Sequence, residues 1–305
     1  MDILELALWV SLAIMLVGIL LPKKYGDKVA AAGWVIFGVR WGLSTPQYYL
    51  VDHNIMYTTA CILAIPATLY LALVLVKDGR ESLRVLTKAA VICAIFYFPF
   101  AYISWLGDGV IQFTTAITLD TVRALGENAS LWIYTGVIQG IGGTHYLIYL
   151  NKAPTDTVEI ILACTAIQSM ALFVGLVGCI KAPWDRKFKA FMVSVPVIYI
   201  LNLVRNTFVI SAYGNQWLQI IPGTIAGWTG EPASYASFFW AHNVLAEAGS
   251  LIALVAISYA VIMILPEILD YLMDIFSLVS LESIKKNLRG EKVPVVAPKL
   301  LTPKK

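Results

Sequence analysis

Residues 190–210 read AFMVSVPVIYILNLVRNTFVI, twenty-one positions with one charged side chain, Arg205. As a helix rising 1.5 Å per residue this run extends about 31 Å, enough to cross a hydrocarbon core of roughly 30 Å. Lipid offers backbone groups no partners, so a run of this kind must be helical. An arginine at that depth is costly and marks a candidate functional position. Six further apolar stretches lie near 3–21, 29–44, 54–76, 89–106, 157–180 and 240–265; the one at 29–44 is short and carries Arg40. Across all 305 residues, hydrophobic side chains make up 59% and charged ones 13%, with a mean hydropathy of +0.77. Soluble domains carry roughly 25% charged residues, so a cytosolic enzyme, a disordered chain, a collagen and a disulfide-rich secreted scaffold are excluded. The expected fold is an all-α polytopic membrane protein of about seven transmembrane helices, or eight, with external loops and interfacial helices.

The basic residues orient it. Lys23, Lys24 and Lys28, then Lys77, Arg80, Arg84 and Lys88, then Lys181, Arg186, Lys187 and Lys189 fall in alternate connections. Lys285, Lys286, Arg289, Lys292, Lys299, Lys304 and Lys305 follow Pro266. Eighteen of the 22 Lys and Arg thus share one side, leaving Arg40, Arg123, Lys152 and Arg205. The positive-inside rule makes that side cytoplasmic, so the N-terminus is expected outside and the C-terminus inside. Asp2 and Glu5 agree. No basic n-region or A-x-A site suggests a cleaved signal peptide.

Four regions are expected: a membrane region over 1–106, an external excursion over 107–156, a three-helix membrane region over 157–265, and a cytoplasmic segment over 266–305. Within the excursion, 109–126 has helical apolar spacing suited to the interface, and 131–150 reads as a β-hairpin with a glycine-rich turn. A glycine- and proline-bearing loop covers 211–239. Residues 267–289 read as an amphipathic interfacial helix, and the proline- and lysine-rich residues after Gly290 as disordered. No internal repeat points to an inverted-repeat transporter.

Counted from the cytoplasmic loops, Cys164 lies 17 residues before Lys181, or roughly 25 Å, and Arg205 lies 16 residues after Lys189, or about 24 Å. His242 opens the last span, also in its outer half. Three consecutive helices thus carry a thiol, a cation and an imidazole at similar heights, and short-looped helices pack as neighbours. A thiol needs a cation or base nearby to act as a nucleophile. Cys61, Cys93 and Cys179 lie deeper or toward the cytoplasm, so Cys164 is expected to be a free thiol. Asn202, Arg205 and Asn206 share a helix face, Gln168 lies one turn from Cys164, and Asn243 and Glu247 pair at i,i+4. Each residue also has a plain structural account. A lone cysteine packs as a small hydrophobe, a histidine sits at an interface, an arginine snorkels, and amides join helices by hydrogen bonds. His53 and His145 lack metal-ligand spacing, no P-loop, dinucleotide fingerprint or H-E-x-x-H is present, and no basic face suits nucleic acid. Neither a cofactor nor a metal is expected.

The segments Ala163-Cys164-Thr165-Ala166-Ile167-Gln168-Ser169, Asn202-Leu203-Val204-Arg205-Asn206 and Ala241-His242-Asn243 resemble the signature of the exosortase/archaeosortase family of membrane transpeptidases. The resemblance is strongest to its archaeosortase A branch and covers about 157–265. One departure is Ala166, where the family commonly has glycine. The resemblance implies Cys164, Arg205 and His242 as catalytic residues, with the role of His242 open because some members use arginine there. Gln168, Asn202, Asn206 and Asn243 would support them. It also implies substrates of the surface-layer glycoprotein type, ending in a Pro-Gly-Phe-like motif, a transmembrane helix and a basic cluster. Cleavage at the outer face of the plasma membrane would be followed by transfer of the new C-terminus to a prenyl-derived lipid. Competing readings are a bacterial exosortase acting on Pro-Glu-Pro signals, a transporter lined by Arg205, His242 and Glu247, and a non-catalytic scaffold.

Overall fold

The computed structural model describes residues 3–51, 55–138, 141–291 and 293–295. Asp2, His53, Lys292, Lys299, Lys304, Lys305 and most of the expected disordered tail lie outside the described residues. Among the described residues five helical stretches are long and apolar enough to cross a membrane: Ile3–Leu20, Tyr57–Asp78, Glu81–Tyr102, Trp184–Gly214 and Tyr235–Ile264. Five of the seven expected stretches therefore reappear as such helices. The chain groups into two compact units, one made of the residues up to Ala94, Gly175–Pro183 and the residues from Leu265 onward, the other of Ile95–Val174 and Trp184–Ile264.

In the first unit α1 (Ile3–Leu20) packs closely on α2 (Lys23–Leu43). Only small residues permit this approach: a Cβ on Gly26 would lie 2.3 Å from the Gly18 carbonyl oxygen. Helix α2 is the expected short second stretch. It is 21 residues long but not among the five apolar spans, because Lys23, Lys24, Asp27, Lys28 and Arg40 dilute it. Helix α3 (Ile55–Asp78) follows, then α4 (Glu81–Tyr102), whose residues through Ala94 belong to this unit. Arg84 of α4 bonds Asp27 of α2 at 2.6 Å. The expected amphipathic helix over 267–289 is two helices, α11 (Glu267–Leu278) and α12 (Leu281–Leu288). The break falls at Ser280, whose hydroxyl accepts from the Ser283 amide as an N-cap, one of the residue types that favours starting a new helix. Asp274 of α11 receives Arg80 at 2.6 Å and Ser82 at 2.5 Å.

In the second unit α5 (Ser104–Ala124) precedes a three-stranded antiparallel sheet of β1 (Ala129–Ile138), β2 (Ile141–Leu150) and β3 (Val158–Glu159), in the order β1-β2-β3. The helix and the hairpin are those expected in the excursion; β3 is not. One face of the sheet closes over α5 and α7 (Trp184–Gly214) through Leu119, Val122, Ile148, Val158, Ile160 and Ile210.

The expected continuous helix over 157–180 is absent. The chain runs instead through β3, a 3₁₀ turn at Leu162–Thr165, Ala166 in the left-handed region (φ 59°, ψ 7°), and α6 (Ile167–Cys179). Thirteen helical residues rise only about 20 Å. The physical reason is the first turn of that stretch, where Glu159 pairs with β2 rather than lying in a helix. The 211–239 loop contains two short helices, α8 (Pro222–Thr229) and α9 (Tyr235–Phe238). Beyond α9 the last span passes through a π-helix at Phe239–Ala246 before α10 (Glu247–Ile264).

Candidate active site

Cys164 sits in the 3₁₀ turn rather than inside a helix. A turn that leaves through a left-handed residue strands its carbonyls, because the helical ladder does not continue across it. The Cys164 carbonyl is rescued by two amides on α7, with Asn202 Nδ2 donating at 2.6 Å and Asn206 Nδ2 at 2.9 Å. Both asparagines are buried, and their i,i+4 spacing lets one helix face serve both lone pairs. The asparagines therefore fix the backbone that carries the thiol, rather than the thiol itself. The half-buried Cys164 Sγ contacts the Glu159 carbonyl oxygen at 4.0 Å, and all four cysteines are free thiols.

Arg205, one turn from Asn202, points at His242, with Nη2 to Nε2 at 3.1 Å. A guanidinium can only donate, so Nε2 accepts and the imidazole is neutral. Its proton lies on Nδ1, which donates to Asn243 Oδ1 at 2.7 Å. Phe238 stacks on the imidazole with ring centroids 4.9 Å apart and planes 9° apart. His242 and Asn243 both lie in the π-helix, and Asn243 bonds its neighbour His242 rather than Glu247, the partner its i,i+4 spacing suggests. π-Segments within helices recur at functional sites.

Cys164, Arg205 and His242 line one cavity of about 270 Å³, together with Glu159, Asn206 and Phe238. The three residues expected from the sequence are thus brought together. The thiol has no hydrogen bond to either cation or base in this arrangement, since Arg205 engages Nε2. Arg205 also reaches a second cavity of about 270 Å³ walled by α7 and α10, lined by Ile198, Leu201, Phe208, Ala253 and Leu254. Gln168 is not drawn in; it is exposed and donates to the Tyr97 hydroxyl at 3.2 Å. Glu247 lies beside Arg205 in a further, shallower hollow. Among the described residues no group of three His, Cys, Asp or Glu side chains is placed to hold a metal.

One residue of this neighbourhood was missed by sequence reasoning, and a second, His145, was weighed there only as a metal ligand. Glu159 lines the cysteine cavity and pairs with the buried His145 at 2.7 Å from Nδ1. The signal was present, because an acid inside an apolar stretch is as unexpected as Arg205. The two residues lie 14 apart in sequence, and only the β2–β3 register makes them diagonal neighbours, with Leu147 opposite Glu159.

Comparison with known proteins bears on this geometry. A family model described as transmembrane exosortase matches residues 6–240, a range that includes Cys164 and Arg205 and stops two residues short of His242. Archaeosortase A of Haloferax volcanii is 29% identical over 269 residues, covering 85% of this chain and 87% of the relative. Archaeosortase A of Natronomonas pharaonis is 28% identical over 288 residues, covering 90% and 88%. No solved structure matches the chain.

Proposed function

Because the chain belongs to the transmembrane exosortase family, we propose that it is a multi-pass membrane transpeptidase that sorts surface proteins through the Cys164 cavity. Its substrates are secreted proteins of the surface-layer glycoprotein type. They end in a Pro-Gly-Phe-like motif, a transmembrane helix and a basic cluster, and the acceptor is a prenyl-derived lipid. The N-terminus and the site face outward across the plasma membrane, as the distribution of basic residues supports, and the helices number about seven.

The observation that carries this reading is the shared cavity of Cys164, Arg205 and His242. Cys164 is the nucleophile. The Arg205 guanidinium shifts its hydrogen bond from His242 Nε2 to the scissile carbonyl oxygen, which frees Nε2 to take the thiol proton. The sulfur–carbon bond forms, and the tetrahedral oxyanion rests on the permanently cationic Arg205. His242 returns the proton to the leaving amine as the carbon–nitrogen bond breaks. A hydroxyl of the lipid then attacks the thioester and gives its proton to His242 Nε2; the oxygen–carbon bond forms, the sulfur–carbon bond breaks, and the released thiolate takes that proton back. Asn202 and Asn206 hold the Cys164 backbone through these steps, while Asn243 keeps the imidazole in the required tautomer.

Intact-mass measurement of surface proteins from cells with and without the gene tests the proposal. The expected result is loss of a C-terminal peptide and gain of a lipid mass only when the gene is present. A Cys164→Ala chain should leave the same proteins full length. Unaltered processing by Cys164→Ala would sink the mechanism.

A further inference from the structure

Among the described residues no strand pairs with the outer edge of β3, which ends the sheet order β1-β2-β3. The register settles which groups that edge presents. The Ile160 amide donates inward to the Tyr146 carbonyl at 2.9 Å, and the residue pair Val158–Ile148 is two steps along. In an antiparallel ladder, residues alternate between facing the partner strand and facing away. Glu159, between them, therefore turns its own N–H and C=O outward. The outward direction is the cysteine cavity, which is walled by Thr157–Ile161 on this side and by Arg205, Asn206 and Val209 on the other. The Glu159 carbonyl that faces it is the group 4.0 Å from Cys164 Sγ. Val158 and Ile160 bury their side chains in the core beneath, so the strand is held rigidly while its edge stays open.

We infer that the substrate segment around the scissile bond binds in extended form as a fourth strand, hydrogen-bonded to the backbone N–H and C=O of Glu159. This rests on the cysteine transpeptidase reading given above and adds to it how the peptide is held. An unpaired edge strand is a ready template for an extended chain, with backbone bonds giving affinity and alternate side-chain pockets giving selectivity. It also couples binding to chemistry. An incoming N–H takes the Glu159 carbonyl from the thiol, and the adjoining peptide bonds then run alongside Cys164. The Glu159 side chain is occupied separately by His145, so the backbone role and the carboxylate role can be tested apart.

The test compares Glu159→Ala with Glu159→Pro in the full chain reconstituted in lipid nanodiscs, acting on a synthetic peptide. The peptide copies the cleavage segment of a surface protein trimmed in a gene-dependent way. Proline lacks only the outward N–H, which the β2–β3 ladder does not use, and edge strands accept proline there. Glu159→Pro should lose about tenfold in kcat/KM relative to Glu159→Ala, mainly in KM, as one lost hydrogen bond predicts. A second measurement leaves the protein untouched. Among peptides N-methylated at one residue at a time, cleavage should be lost at the one position near the scissile bond whose N–H meets the Glu159 carbonyl. Equal activity of the Pro and Ala chains, or cleavage kept at every N-methylated position, overturns strand addition. Processing that survives Cys164→Ala overturns the enzymatic reading instead, so the two failures are distinguishable.

Discussion

Arg80 and Arg84 each meet a carboxylate at 2.6 Å, Asp274 and Asp27 respectively. Arg205, in the other unit, meets an imidazole nitrogen at 3.1 Å, and among the described residues no carboxylate lies within ion-pair distance of it. The first pair of arginines serves the fold. Asp274 takes Arg80 and Ser82 together, Arg80 also donates to the Val293 carbonyl, and α11 is thereby tied to the start of α4. Withdrawing charges from water is repaid there by close opposite charge. Arg205 has a neutral partner, so its charge remains available to an anion that develops nearby. An arginine satisfied at rest stabilises; one left without a counter-charge is suited to a transition state.

The largest effects should separate these roles. Asp274→Asn leaves Arg80 buried without its counter-ion and is expected to cost about 3–5 kcal/mol of stability, read as a fall in the unfolding midpoint in detergent. Processing per folded molecule should be unchanged. Arg205→Gln should do the reverse, lowering processing by on the order of 10²–10³ with little change in the midpoint. If Arg205→Gln instead unfolds the protein while retaining activity per folded molecule, Arg205 belongs with the structural arginines and the contrast fails.

A smaller effect tests how the thiol is carried. Asn202 and Asn206 share one acceptor, the Cys164 carbonyl. Either single Ala variant leaves one donor and should cost little, about 1 kcal/mol. The double variant orphans a buried carbonyl, so its cost should exceed the sum of the singles. Processing should fall further than the folded fraction does, because the turn holding Cys164 is no longer fixed. Strict additivity in both readouts would show that the two amides merely join helices.

The same contrast explains what could be read in the sequence. Arg205 and His242 were visible because charge is scarce in apolar runs, and Cys164 because it shared their estimated depth. The depth of Cys164 was counted along 164–181 as one helix, of which only Ile167–Cys179 is α-helical, yet the thiol still shares a cavity with Arg205 and His242. The reason is that the β3 segment and the 3₁₀ turn fold back onto α7 rather than extending away. What hydropathy could not reveal was local backbone shape. Glu159 interrupts an apolar stretch, but counting apolar residues averaged it away. Nothing in the composition of 239–246 marks a π-helix, since its residues serve an α-helix equally well. Gln168 went to Tyr97 because α6 starts only at Ile167, which breaks the turn relation to Cys164 that a continuous helix would have imposed.

The smallest predicted effect concerns the residue between the thiol and α6. Ala166 has φ 59°, a conformation that crowds a Cβ and costs an L-residue roughly 1–2 kcal/mol relative to glycine. Its strain follows from geometry alone: the turn must reverse between Cys164 and Ile167 for Asn202 and Asn206 to reach the Cys164 carbonyl while α6 starts at once. Glycine would relieve the strain but lose more backbone freedom on folding, so Ala166→Gly should raise stability by only about 0.5 kcal/mol. Ala166 is 9% exposed and lines the apolar cavity that Arg205 also reaches, not the cysteine cavity, so removing one methyl leaves the latter intact and processing should stay within about twofold. Ala166→Val tests the same position in the opposite sense. A β-branched residue is a genuine outlier at positive φ, and it should lower the unfolding midpoint and processing together. If glycine destabilises the protein and valine does not, residue 166 is not left-handed, and the asparagine clamp on Cys164 must be formed by another route.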